Sequence, residues 1–149
     1  MIPALRLVSN TGSGHSGTEN GLAPKANNGA ERKPTLLVVE DEILIRLAAA
    51  DYLRERGYRV IEASNASEAV SVFAAGQPIE LVFSDIDMPR RMNGDALAQW
   101  IRQHFPDVKV LLCAIDGGKG IAKATNAQVL KKPYSYDLLL AQINALPKA

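Results

Sequence analysis

The sequence predicts an α/β fold, a doubly wound sheet of five parallel strands with helices on both faces. Two observations lead there. Short aliphatic runs alternate with longer amphipathic segments from Pro34 to the end of the 149-residue chain. The runs are almost continuously apolar instead of alternating with polar residues, as strands covered on both faces are. Parallel neighbours need a crossover connection, which the intervening amphipathic segments supply.

The strand runs are LLVV (36–39), YRVI (58–61), ELVFS (80–84), VKVLLC (108–113) and QVLK (128–131). The first helix is expected at 43–56, ended by Gly57. The second carries Ala66, Ala69, Val70, Phe73 and Ala74 at offsets 0, 3, 4, 7 and 8, one stripe of a 3.6-residue period. Asn65 followed by Glu68 has the form of a capping box, and Gly76 supplies the stop. Further helices are expected at 94–104, before Pro106, and at 135–146, before Pro147. The segment 117–126 opens with Gly117, Gly118 and Gly120, so its start is flexible and at most a short helix fits.

Residues 1–33 differ from the rest. They hold five of the 11 glycines and no aromatic residue, and their four bases against two acids make them +2. They read as a disordered tail, too poor in apolar groups to offset the entropy of ordering. The folded domain is then 34–149, with 13 bases, 14 acids and a net charge of −1. So even a balance gives no basic face for nucleic acid or an anionic membrane. The opening MIPALRLV is broken by Arg6 and too short for a signal-peptide core or a membrane span, so a cytoplasmic protein is expected. The single cysteine, Cys113, excludes an internal disulfide and reads as a core residue, and with only His15 and His104 a His-ligated metal is not expected.

Open parallel sheets bind ligands beyond the carboxyl ends of their strands. Glu40, Asp41 and Glu42 follow the first strand; Asp85, Ile86 and Asp87 follow the third; Lys132 and Pro133 follow the fifth. Carboxylates brought together repel one another unless a cation neutralises them. Mg2+ suits them, since it prefers oxygen donors and leaves positions open for water or phosphate oxygens. An Asp in such a place can attack phosphorus to give an acyl phosphate, with the metal and a Lys offsetting the phosphoryl charge. Each feature also has a structural reading: helix N-terminal acids, a turn aspartate, a solvated lysine. These would have to hold independently at three strand ends. Tyr134 and Tyr136 read as packing residues, and Arg90 and Arg91 as solvated loop charges. GGKG (117–120) lacks the spacing of a Walker loop.

VVEDE (38–42), LVFSDIDMP (81–89) and LKKPY (130–134), in this order on five alternating strands, resemble the receiver domain of two-component response regulators. The resemblance covers about 34–147 and implies a flavodoxin-like fold with strand order 2-1-3-4-5. It implies that Asp85 is the phosphoacceptor and that Mg2+ is held by Asp41, Asp85 and the Asp87 main-chain carbonyl, with Glu40 acting through a water. Lys132 would contact the phosphate, oriented by a cis peptide to Pro133. Two positions depart from the family pattern. Ala114 stands where a Ser or Thr hydroxyl ends the fourth strand, and Val129 where the fifth carries an aromatic switch. Acceptance of phosphate needs neither, but the usual route of transmission does.

The expected function is therefore that of a single-domain, non-enzymatic response regulator. It would be phosphorylated by a histidine kinase or histidine phosphotransfer protein and would signal to a downstream protein that the sequence does not identify. Two other readings compete. One is a degenerate receiver that docks without phosphate, for which Ala114 and Val129 speak. The other is a phosphatase of the haloacid dehalogenase type, whose DxD signature FSDIDMP is similar to, although Pro89 and the position on the third strand count against it.

Overall fold

A computed structural model describes residues 33–88, 93–118 and 127–146. The apolar runs form five strands: β1 (Thr35–Val39), β2 (Arg59–Ala63), β3 (Leu81–Asp85), β4 (Lys109–Ala114) and β5 (Gln128–Lys131). All neighbours pair parallel, in the order β2-β1-β3-β4-β5. This is the doubly wound, flavodoxin-like sheet expected, with helices α1 (Ile43–Glu55), α2 (Ala66–Ala74), α3 (Gly94–His104) and α4 (Tyr136–Ala145).

Alternation along the strands divides the core. Leu36 and Val38 of β1 pack with Leu53 of α1, Phe83 and Leu111 of the neighbouring strands, and Leu139 and Ile143 of α4. Leu37 and Val39 point the other way, onto Ala69 and Phe73 of α2 and Leu97 and Ile101 of α3. Every residue of β1 is buried, which explains why its sequence carries no period-two polarity.

Five of the helix boundaries have a local cause. Gly57 takes φ 97° after α1, and Gly76 takes φ 83° after α2, left-handed values that side chains disfavour. Asn65, Asn93 and Ser135 each accept a hydrogen bond from the amide three residues on, so α4 starts at 136 with Ser135 as its cap. The capping box at α2 is displaced by one residue. Glu68 Oε1 accepts from the amide of Ser64, at 2.7 Å, and from its hydroxyl, so it ties down the residue before the cap.

Two expectations need correction. The second strand runs over Arg59–Ala63 and not 58–61, because Tyr58 accompanies the turn from α1 and only its ring joins the core. The buried face of α2 is Ala66, Ala69, Val72 and Phe73; Val70 is half-buried and Ala74 exposed, so the stripe is rotated toward Val72. The expected disordered tail (apart from Lys33), the loop arginines Arg90 and Arg91, and the short helix beyond Gly118 lie outside the described residues.

The start of α3 rests directly on the end of β3. A Cβ on Gly94 would collide with the Asp85 carbonyl oxygen and lie 2.8 Å from Ile86 Cα. Glycine is therefore required for the helix to close on the strand carrying Asp85. Gly94→Ala is expected to destabilise the domain by about 1–3 kcal/mol, as overpacking against backbone does; urea denaturation measures it.

Candidate functional site

β1 and β3 lie side by side, with Val39 opposite Ser84, so the residues just beyond this pair, Glu40 and Asp85, are neighbours. The carboxylates of Glu40, Asp41 and Asp85 each offer an oxygen within 4.8 Å of the others. Glu40 and Asp85 are buried, whereas Asp41 is exposed. Asp85 is the last residue of β3, one position earlier relative to the strand end than the sequence suggested.

Lys132 comes from the far side of β4. Asp85 stands opposite Cys113, and Cys113 opposite Leu130, so the lysine, two residues beyond Leu130, reaches back across the end of β4. Its Nζ lies 2.9 Å from Asp85 Oδ1, and its amide donates to the Ala114 carbonyl at 2.9 Å. The Lys132–Pro133 peptide is cis. Asp85 Oδ1 also accepts from the Asp87 amide at 3.1 Å, while the Asp87 side chain is exposed.

The electrostatics follow from crowding. Glu40 is pushed up to about 7, first by burial; the Glu42 amide, donating to Oε2 at 3.1 Å, opposes this, and the charges of Asp85 and Asp41 add to it. Burial pulls Lys132 down, but the hydrogen bond and charge of Asp85 outweigh it and its pKa is raised. Burial pushes the Cys113 thiol up to about 12, with Asp85 adding, so Cys113 is an inert core residue as expected.

The site opens into a groove of about 1100 Å³ that runs from the carboxylates past Pro133 to Tyr136. Leu44 and Ile115 are 77% and 68% exposed, Leu44 one turn or less from the acidic turn and Ile115 on the groove wall. Tyr134 and Tyr136 pack as expected, against Phe83 with ring centroids 5.8 Å apart and against Tyr52 at 4.9 Å. His104 is exposed at the end of α3, its ring against Trp100.

Ala114 and Val129 share one small cluster. Ala114 ends β4 and packs with Ile86 and Ala127, and Val129 packs against the same group. The chain after β4 turns over Val129 through left-handed Gly117 and Gly118, and a Cβ on Gly118 would lie 2.8 Å from Val129 Cγ1. The first two glycines of the segment 117–126 thus both take left-handed φ values.

The donors suit a hard divalent cation. All three acidic side chains offer oxygen, one is open to solvent, and two are buried beside a single ammonium group. Sequence reasoning missed a second charged cluster below this rim. Arg46 and Arg54 of α1 both pair with buried Glu62 of β2, at 3.2 and 3.0 Å. Its signal was an acid inside an apolar strand and two arginines eight positions apart on one helix.

The sequence profile of the response regulator receiver domain matches residues 36–144. The chain belongs to this family of two-component signalling modules. Transcriptional regulatory protein PdtaR of Mycobacterium tuberculosis is 35% identical over 112 residues, which cover 72% of this chain and 54% of PdtaR. Sensor kinase CckA of Brucella abortus is 31% identical over 117 residues, 75% of this chain and 12% of CckA. The chain thus spans about half or less of these two curated relatives. Among solved structures, chemotaxis protein CheY4 of Vibrio cholerae superposes with TM-score 0.69 at 26% identity, covering 77% of this chain and 99% of CheY4. Response regulator TrrA of Thermotoga maritima, solved in complex with Mg2+-BeF, gives 0.65 at 30% identity, covering 74% and 96%.

Receiver domains bind Mg2+ at an acidic pocket, interact with histidine kinases or phosphotransfer proteins, and are not typically enzymes. Membership leaves the phosphatase reading of FSDIDMP without support. Among the described residues no helix is long and apolar enough to cross a membrane.

The raised Glu40 pKa gives a stability test. A carboxyl near 4.5 unfolded and about 7 folded binds more protons in the folded state between these values, so stability falls as pH rises through that window. In EDTA the wild type is expected to lose on the order of 1 kcal/mol across it, a value reduced for partial solvation. Glu40→Gln, which keeps an acceptor for the Glu42 amide, flattens that slope in denaturation curves recorded at each pH.

Proposed function

We propose that this receiver accepts a phosphoryl group on Asp85 from the phosphohistidine of a histidine kinase or phosphotransfer protein and passes the signal to a further protein. The observation that carries the reading is the Lys132 Nζ placed 2.9 Å from Asp85 Oδ1 inside a cluster of three carboxylates. An Asp85 oxygen attacks phosphorus, the donor's N–P bond breaks, the imidazole leaves, and an acyl phosphate remains on Asp85. Lys132 then has a phosphoryl oxygen to pair with in place of the carboxylate oxygen that becomes bonded to phosphorus.

Asp41, Asp85 and the Asp87 main-chain carbonyl would hold Mg2+, with Glu40 acting through a water. When bound, the ion supplies charge neutralisation for the carboxylates and the incoming phosphoryl group. Exposed Ile43, Leu44 and Ile115 beside the rim support a protein donor in preference to a small one, since apolar groups at the approach to a charged site fit a partner's surface.

Ala114 brings no hydroxyl to the phosphoryl group, and Val129 is packed beneath Gly118. Both support an output route other than the hydroxyl–aromatic pair. The same two residues favour a second reading, a docking module that never carries phosphate.

One experiment separates the two. The chain is incubated with Mg2+ and acetyl phosphate and its intact mass recorded. A one-phosphate gain is expected, lost in EDTA and in Asp85→Asn, and about 10²-fold slower in Lys132→Ala, the size of effect of removing one charge-stabilising donor. No gain in the wild type would favour the docking module.

A further inference from the structure

We propose that Arg46 is a positioning residue for the acidic turn: its guanidinium, anchored by Glu62, holds the main-chain carbonyl of Glu40 and so sets where the Glu40 and Asp41 carboxylates stand. The inference rests on the reading that these carboxylates hold Mg2+.

Arg46 lies in the first turn and a half of α1 and reaches back to the end of β1. Its Nη1 donates to the Glu40 carbonyl at 3.0 Å and its Nε to Glu62 Oε1 at 3.2 Å. Arg54 holds the other Glu62 oxygen, Oε2, from 3.0 Å and donates to the Val60 carbonyl at 2.8 Å. The side chains of Arg46 and Glu62 are only 15% and 10% exposed. Burying these charges costs more in desolvation than a hydrophobic pair would, so their value lies in the geometry they impose.

That geometry is directed at one peptide. Glu62 stands opposite Val38 in the sheet register, so its carboxylate belongs to the rigid frame. The ladder ends one step later, with the Glu40 amide donating to the Ala63 carbonyl at 3.1 Å. Beyond it the Glu40 carbonyl has left the sheet, and Arg46 takes it up. The planar guanidinium fixes two contacts together, and a fixed carbonyl oxygen fixes the plane of the Glu40–Asp41 peptide. The Cα of Asp41, the exposed carboxylate of the cluster, follows from that plane. Lysine, with a single point of charge on a flexible stem, cannot reproduce both contacts.

The test is calorimetric titration of the full chain with Mg2+ alone, with the thermal midpoint recorded in parallel. Arg46→Lys and Arg46→Met are expected to weaken Mg2+ binding about tenfold, as loss of a group orienting metal ligands does. Their phosphorylation rate with acetyl phosphate returns to the wild-type value at saturating Mg2+. Charge alone predicts the opposite sign for Arg46→Met, because removing a cation beside the carboxylates would tighten the ion. Equal or tighter binding in that variant overturns the inference. Arg54→Met takes a partner from the same Glu62 without touching Glu40, and is expected to leave Mg2+ affinity unchanged; a loss matching that of Arg46→Met also overturns it. If Arg46→Met does not fold, Arg46→Met combined with Glu62→Met removes both charges together, and it must still bind Mg2+ weakly; wild-type affinity there overturns the inference. A wild type that binds no Mg2+ overturns the metal reading and this inference with it, whereas a wild type that binds beside unaffected variants overturns this inference alone.

Discussion

Repulsion among Glu40, Asp41 and Asp85 is the constraint around which this domain is organised. Three carboxylates with oxygens within 4.8 Å, two of them buried, would separate if the chain allowed it. They are held because β1 and β3 are adjacent and paired up to Val39 and Ser84, and because the apolar core on both sides leaves those strands no freedom to slide. Lys132 offsets part of the charge from across β4, and the Glu42 and Asp87 amides each give one hydrogen bond to a crowded carboxylate. The upward shift of Glu40 comes first from its burial, and the charges of Asp85 and Asp41 add to it.

Several details make sense as supports for this crowding. Gly94 lets α3 close on the Asp85 backbone, so the end of β3 is pressed from behind. Arg46, Glu62 and Arg54 brace the other strand end through the Glu40 carbonyl. Cys113, directly opposite Asp85, is buried in the core, and that burial raises its thiol pKa. The neighbouring Ala114, Val129 and Gly118 form a close-packed apolar patch.

The fold was legible because parallel strands covered on both faces leave aliphatic runs that need no partner to be recognised. All five strands and the four helices described were visible in this way, and the three strand-end motifs gave the charged residues that the sheet brings together. Boundaries were less legible where packing, not composition, decides them. Tyr58 looks like a strand residue but belongs to the turn, and Val72 displaces Val70 and Ala74 on the buried face of α2 because of where that helix meets the sheet. The Arg46–Glu62–Arg54 cluster left only a faint signal, because its members are 16 and 8 residues apart and share no motif; the α1–β2 packing joins them.

The central claim is that these carboxylates form one divalent-cation site centred on Asp85. Amide NMR spectra recorded during a Mg2+ titration test it most directly. The account predicts saturable shifts concentrated at 40–42, 85–88 and 132, with their midpoint moved to much higher Mg2+ in Asp85→Asn. Shifts spread over the acidic surface without saturation, or a titration indifferent to Asp85→Asn, would contradict it.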